Sequence, residues 1–188
     1  MLFPYKDDNP RVLVPYVTYG IITINVIVFI FQFNLGMSNP MGEENFIYRF
    51  GFVPANFSFI AIFTSMFLHG GFSHIMGNMW FLWVFGDNVE GVLGHGKYAL
   101  FYILCGLAAT ISQLLINPGS TIPMVGASGA IAGVLGMYMI RFPNANVHVF
   151  AFIIIFFTTF RIPALFVLGF WFFNQLTNGL TSLGFDTT

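Results

Sequence analysis

The stretch MVGASGAIAGVLGMY, residues 124–138, consists almost entirely of small and apolar residues around one hydroxyl, Ser128. Gly129 with Gly133, and Ala132 with Gly136, have the four-residue spacing at which small residues let two membrane helices pack closely. A serine in the first turn of this helix would also lie among free N–H groups, at the positive end of the helix dipole. Two interpretations are therefore open, helix packing or a nucleophile, and the residues alone favour packing.

The composition around this stretch is that of a membrane protein. Of its 188 residues, 57% are hydrophobic and only 7% are charged, whereas a soluble domain carries about 25% charged residues. The lipid bilayer is therefore the expected surrounding. A net charge of −1 offers no basic surface for nucleic acid. The single cysteine, Cys105, excludes a disulfide within the chain and is expected to be a small core residue.

The distribution of apolar residues predicts an all-α polytopic fold. A helix that crosses a bilayer needs about 17–25 mostly apolar residues. The predicted domains are a polar cytoplasmic segment at 1–13 and a membrane domain at 14–188. The predicted spans are 14–35, 72–89, 98–116, 127–142 and 164–180.

Two segments between these spans are predicted to lie in or near the membrane interface. The first, 36–68, is rich in aromatic residues, and FSFIAIFTSMFLHGG (57–71), which overlaps its end, predicts a short interfacial helix. The second, VHVFAFIIIFFTTF (147–160), is too short for a span, and Arg161 and Pro163 interrupt it. We expect it to be re-entrant or interfacial.

The basic residues predict the orientation in the membrane. With the N-terminus cytoplasmic, five of the six lysines and arginines fall on the inner side and only Arg49 falls outside. Cytoplasmic loops carry the excess of basic residues in membrane proteins. The inner residues are Lys6, Arg11, Lys97, Arg141 and Arg161.

Three polar residues near the start of the second span are expected on the same outer side as Ser128. His74 and Asn78 are four residues apart, so on a helix they share a face. They could provide hydrogen-bond donors to an oxyanion, or serve only as bonds between helices. The pair His69 and His74 is not expected to bind metal, because HGGFSH (69–74) contains no carboxylate and its glycines break a helical ligand face.

The inner end of the second span carries a carboxylate with a structural interpretation. Glu90 is followed by GVLGHGK, which predicts a helix end with Lys97 as its partner. His95 and His148 are also expected on this side, about 30 Å from Ser128 across the membrane.

The sequence LHGGFSHIMGNMWFLWVFGDNVEGVLGHGKYALFYILCGLAA (68–109), followed by GASGAIAGVLGMY (126–138), closely resembles rhomboid intramembrane serine proteases of the bacterial type. Three signals agree in order and spacing: H-x4-H-x3-N, E-x3-G-x2-K and G-x-S-G. The resemblance implies a rhomboid-like helix bundle in the bacterial inner membrane. It also implies an enzyme that cleaves transmembrane protein substrates without a metal or cofactor. It does not indicate an oligomeric state.

The resemblance also assigns roles to positions of this sequence. It places the nucleophile between glycines, oxyanion donors on the second span, and one further histidine near the same cavity. The matching residues are Ser128 as nucleophile, Gly126 and Gly129 flanking it, His74 and Asn78 in the oxyanion hole, and His69 in the cavity.

The chain departs from the family at the catalytic base. Rhomboids take that histidine from a sixth helix, and no histidine follows His148 here. We therefore expect five of the usual six transmembrane helices, a truncation before the sixth, and little proteolysis by these 188 residues. The alternative is a catalytically dead rhomboid-like protein that binds transmembrane helices. A channel or transporter is disfavoured, because no charge lies mid-span and no internal repeat is visible.

Overall fold

The computed structural model describes residues 2–153 and 156–182, and the fold in them is a helical bundle with one small sheet. The expected loop before a further helix and the end of the predicted membrane domain, 183–188, lie outside the described residues. The strands are β1 (Leu2–Asp7), β2 (Asn146–Ile153) and β3 (Phe156–Pro163). The helices are α1 (Tyr16–Ser38), α2 (Pro40–Phe50), α3 (Phe59–Thr64), α4 (Phe72–Leu93), α5 (His95–Ile116), α6 (Ser128–Arg141) and α7 (Ala164–Ser182).

The predicted fold class, a helical membrane bundle, is confirmed, and every predicted span falls on a helix. By length and composition, α1 and α5 can cross a membrane by themselves. The helical segment Phe59–Phe67 and α4 meet that standard as a pair, bent by 83° at the break between them. Helix α6 has only 14 residues, about 21 Å of helix against a hydrocarbon core of about 30 Å.

Helices α5 and α6 pack through glycines, as the small-residue spacing predicts. A Cβ on Gly133 would lie 2.2 Å from the Cys105 sulfur, and one on Gly129 would lie 2.4 Å from the Ala109 Cβ. No side chain fits at either position, so the two helices approach more closely than larger residues would allow. The prediction that Gly136 joins this contact is wrong, because nothing lies within 4 Å of its Cβ position.

A fully buried carboxylate joins the ends of α4 and α1. Glu90 accepts hydrogen bonds from the Val17 and Thr18 backbone N–H groups at 2.9 and 2.8 Å, and from the Thr18 hydroxyl at 2.7 Å. The two backbone donors are among the free N–H groups that begin α1, where a negative charge is favoured. His95 contacts the same carboxylate. The prediction that Lys97 pairs with Glu90 is therefore wrong, because the start of α1 binds this carboxylate instead.

The three strands form one antiparallel sheet in the order β1-β2-β3. The segment predicted to be re-entrant or interfacial falls on β2 and β3, which pair antiparallel, Asn146 with Pro163 and Ile153 with Phe156. The sheet begins with the chain's own N-terminal residues, since β1 pairs with β2. Next to it, His148 bonds the Asp8 carboxylate and, together with Arg161, lowers the pKa of Asp8.

The predicted interfacial segment contains two short capped helices. Asn39 caps α2 through the Gly42 N–H, and Ser58 caps α3 through the Ala61 N–H. The Thr64 hydroxyl donates to the Phe50 carbonyl at 2.6 Å, which joins α3 to the end of α2. A short helix within 57–71 was predicted, and α3 confirms it.

Replacing Glu90 with alanine is expected to destabilise the bundle by about 3 kcal/mol, because it leaves buried donors of α1 and Thr18 without an acceptor. Denaturant unfolding in detergent micelles measures the loss. Glu44→Ala, which removes an exposed carboxylate from α2, is the matched control. Equal unfolding midpoints for the two variants would contradict the assigned role of Glu90.

Two of the three glycines of α6 give a second matched pair. Gly133→Ala places a methyl group against Cys105, and separating α5 from α6 is expected to cost about 1–3 kcal/mol. Gly136→Ala adds the same group into open space and is expected to be neutral. The free energies of unfolding of both variants, measured under the same conditions, check the assignment, and equal losses would refute it.

Candidate active site

Ser128 is the first residue of α6 and lines a cavity of about 720 Å³ between helices α4 to α7 and the loop before α6. This volume lies within the range typical of ligand sites, about 300–1,000 Å³. Besides Ser128, the cavity is lined by His74 and Asn78 from α4 and by Trp171 and Asn174 from α7. Two of the predicted site residues therefore share one cavity with the predicted nucleophile.

Gly126 brings the chain next to His74 two residues before the serine. Its φ is +122°, a conformation that residues with a side chain rarely adopt. A Cβ at this position would also lie 2.8 Å from the His74 Nε2 atom. The Gly126 N–H donates to the Ser65 carbonyl at 2.9 Å, which fixes the loop before α6. Glycine is thus required here for its backbone conformation and for the close approach of the imidazole.

The hydrogen bonding of His74 makes this ring a donor towards the loop. Its Nδ1 accepts from the Gly70 N–H at 3.4 Å, so the neutral ring carries its proton on Nε2. That Nε2 is the atom that approaches Gly126. His74 therefore presents an N–H group next to the nucleophile's loop, as an oxyanion donor does.

A hydrogen bond to the His69 ring holds the Asn78 side chain in place. The Asn78 Nδ2 and the His69 Nε2 are 3.1 Å apart, and both side chains are buried, with 1% and 0% exposed. The amide donates one hydrogen to the imidazole, and the Asn78 side chain also lines the cavity. The His69 ring also lies edge-on to His74, with 5.1 Å between the ring centroids. Sequence reasoning left the role of His69 open, and the structure places it behind Asn78.

The remaining predicted residues lie away from the cavity. Gly129 faces α5 at Ala109. His95 contacts Glu90, and His148 lies on β2 beside Asp8. Both histidines are at the opposite end of the bundle, where α6 ends.

Three amides that line the cavity were not predicted. Asn174 and Gln175 come from α7, and Gln113 comes from α5. Adjacent amides within an otherwise apolar span are costly in lipid and are a signal of function. Asn174 and Gln175, adjacent in the last predicted span, are such a signal of function.

Comparisons with known proteins identify the family of the chain. Residues 56–187 match the family described as Rhomboid domain. The chain is 31% identical over 156 residues to "Rhomboid protein 1, mitochondrial" of Saccharomyces cerevisiae, covering 80% of this chain and 42% of that protein. It is 31% identical over 123 residues to "Rhomboid protease GluP" of Bacillus subtilis, covering 65% and 24%. A third relative, "Putative rhomboid protease YdcA" of Bacillus subtilis, is 29% identical over 134 residues, covering 70% and 66%. The matches thus span from about a quarter to about two thirds of these relatives' own length.

Replacing Gly126 with alanine is expected to displace the His74 ring and to destabilise the protein by about 1–3 kcal/mol, the cost of a residue in a conformation suited to glycine. Gly119→Ala is the control, since Gly119 lies in the same loop with open space around its Cβ position. The imidazole resonances of His74 and the unfolding midpoint measure the two effects. Unchanged His74 resonances in Gly126→Ala would contradict the close contact between Gly126 and the His74 ring.

Proposed function

Because the chain belongs to the rhomboid family, we propose that it is an intramembrane serine endopeptidase that cleaves transmembrane segments of membrane proteins. The chain is an integral membrane protein, and two of the relatives it matches are named as rhomboid proteases. The observation that carries the proposal is the cavity, which brings Ser128, His74 and Asn78 together at the start of α6. The proposed membrane domain is residues 14–188.

In the proposed reaction the Ser128 hydroxyl oxygen attacks the carbonyl carbon of the scissile peptide bond. The carbonyl oxygen becomes an oxyanion, which needs donors placed before the reaction occurs. The Ser128 N–H at the start of α6, the Asn78 amide and the His74 Nε2–H are the proposed donors. The positive end of the α6 dipole favours the same charge. These residues need no metal or cofactor for this chemistry.

The length of α6 supports cleavage below the membrane surface. If its Arg141 end lies at the inner boundary of the hydrocarbon core, Ser128 lies about 9 Å below the outer boundary. The amide side chains around the cavity would hold the water that hydrolysis consumes. The proposed orientation follows the basic residues, with the N-terminus in the cytoplasm of a bacterium and Ser128 towards the outer side of its plasma membrane.

None of the described histidines provides a general base. It must come within about 2.6–3.2 Å of the serine oxygen, and Ser128 Oγ has no hydrogen-bond partner in residues 2–153 and 156–182. His74 presents a donor there, His69 faces Asn78, and His95 and His148 lie at the other end. Without a base the serine stays a weak nucleophile. We therefore propose that these 188 residues by themselves cleave little substrate, which keeps helix binding without cleavage as the second candidate function.

The test is cleavage of a fluorescent single-pass membrane protein in liposomes, by the whole protein as its gene encodes it. Ser128→Ala is expected to lower the cleavage rate by about 10³-fold or more. Ser112→Ala, which removes an exposed hydroxyl bonded only to its own helix α5, is expected to leave the rate unchanged.

Each other result has its own meaning. Cleavage that survives Ser128→Ala would remove Ser128 as the nucleophile. Retention of the substrate helix without cleavage would favour the binding function. Serine-dependent cleavage by the 188 residues alone would show that a histidine within them serves as the base.

A further inference from the structure

We propose that Gln32, in the outer half of α1, is a positioning residue that holds the Asn78 amide in place through His69. The proposal rests on the proposed function, since Asn78 is an oxyanion donor only if Ser128 is the nucleophile. Gln32 does not touch the cavity. Its effect would pass along a chain of hydrogen bonds that begins at helix α2, on the outer side of the bundle.

The first link joins Gln32 to the backbone of His69. The Gln32 Nε2 donates to the His69 carbonyl at 2.7 Å, and the His69 N–H donates to the Gln32 Oε1 at 3.4 Å. Gln32 is 2% exposed and His69 is fully buried. One side chain thus satisfies both backbone groups of a residue that lies outside any helix, in the break before α4. Fixing those two groups fixes the point from which the His69 ring extends.

The second link joins the His69 ring to Asn78. The ring Nε2 accepts from the Asn78 Nδ2 at 3.1 Å, which requires the tautomer with its proton on Nδ1. This bond sets the rotation of the carboxamide about its last torsion, a torsion that is otherwise broad. Asn78 and Ser128 line the same cavity, so the second amide hydrogen is the one that remains to serve an oxyanion there.

The third link reaches the interfacial helix α2. The Gln32 Nε2 lies 3.3 Å from the Glu43 Oε1. Glu43 comes this close because Gly36 leaves room for it: a Cβ on Gly36 would lie 2.0 Å from the Glu43 Oε2. The next residue along α2, Glu44, is exposed and takes no part in this contact.

A purely structural role for Gln32 predicts a different outcome. Interhelical hydrogen bonds in membranes contribute about 0.6–2 kcal/mol each, whether or not a site depends on them. Loss of such a bond would lower stability and leave the rate constant of the folded enzyme unchanged. Loss of a positioning residue would lower kcat with KM nearly constant, because the oxyanion forms only during the reaction.

The experiment compares Gln32→Leu with Asn34→Leu in the whole protein. Asn34 is an exposed amide on the same helix, and its side chain bonds only the Ile30 carbonyl one turn earlier. Gln32→Leu is expected to lower kcat by about tenfold, less than the loss of a whole oxyanion donor, which is about 10²–10³-fold. KM is expected to stay within about twofold, as for a loss of transition-state binding alone. Asn34→Leu is expected to change neither constant.

A second readout needs no activity. Nitrogen NMR of the protein in nanodiscs reports the ring nitrogens of His69 and the side-chain amide of Asn78. In the unmodified protein we expect an unprotonated Nε2 and a protonated Nδ1 on His69. Both sets of signals are expected to move in Gln32→Leu and to stay in place in Asn34→Leu.

Milder variants test the same chain if Gln32→Leu does not fold. Gly36→Ala displaces the Glu43 carboxylate, and Gly20→Ala, with open space around its Cβ position on the same helix, is the control. Glu43→Ala and Glu44→Ala form a second pair on α2. The first member of each pair is expected to lower kcat and to shift the Asn78 amide signal, by less than Gln32→Leu does.

The outcomes separate this proposal from the proposed function. If the unmodified protein cleaves and the Gln32 and Glu43 variants keep its kcat, the positioning role is overturned. If the unmodified protein does not cleave at all, the proposed function fails, and the NMR signals decide the rest. His69 and Asn78 signals that do not respond to Gln32→Leu would then overturn the hydrogen-bond chain itself.

Discussion

The position of Ser128 depends on the contact between α5 and α6, to which α6 contributes glycines and therefore no side chains. Gly129 and Gly133 press the α6 backbone against Ala109 and Cys105 of α5, at distances that admit no Cβ. In lipid such close approach replaces the hydrophobic effect as the source of helix association, because the surrounding acyl chains are as apolar as the side chains. The start of α6, and with it the serine and its N–H group, is placed by this backbone contact.

Hydrogen bonds from buried polar side chains join α1 to α4 at both ends of this helix pair. Glu90 at the end of α4 accepts from the start of α1, and Gln32 late in α1 bonds the residue that precedes α4. Unpaired polar groups in a bilayer cost several kcal/mol each. The two antiparallel helices are therefore joined at both of their ends. At the outer end, the residue that Gln32 bonds, His69, also contacts Asn78, the proposed oxyanion donor.

The sequence predicted what depends on local spacing and could not predict what depends on distant pairing. The spans follow from the length of the apolar runs, and the Gly129–Gly133 contact and the shared face of His74 and Asn78 follow from intervals of four residues. The role of Gln32 does not, because its partner is 37 residues away and a single glutamine in an apolar span carries no directional signal. The sheet was missed for the same reason, and Gly136 was overpredicted because spacing does not show where a neighbouring helix ends its contact.

The sheet has a consequence for the order of biosynthesis. Strand β1 leaves the ribosome well before β2, because Asp8 and its partner His148 are 140 residues apart. At about 5–20 residues per second, β1 waits roughly 7–28 seconds for β2 to be made. During this interval it is an unpaired strand that other chains could join. Asp7 also bonds the Tyr138 hydroxyl near the end of α6. Because β2 follows α6 in the chain, the sheet can close only after the helix that carries Ser128 has been synthesised, which makes its closure a late step in assembly.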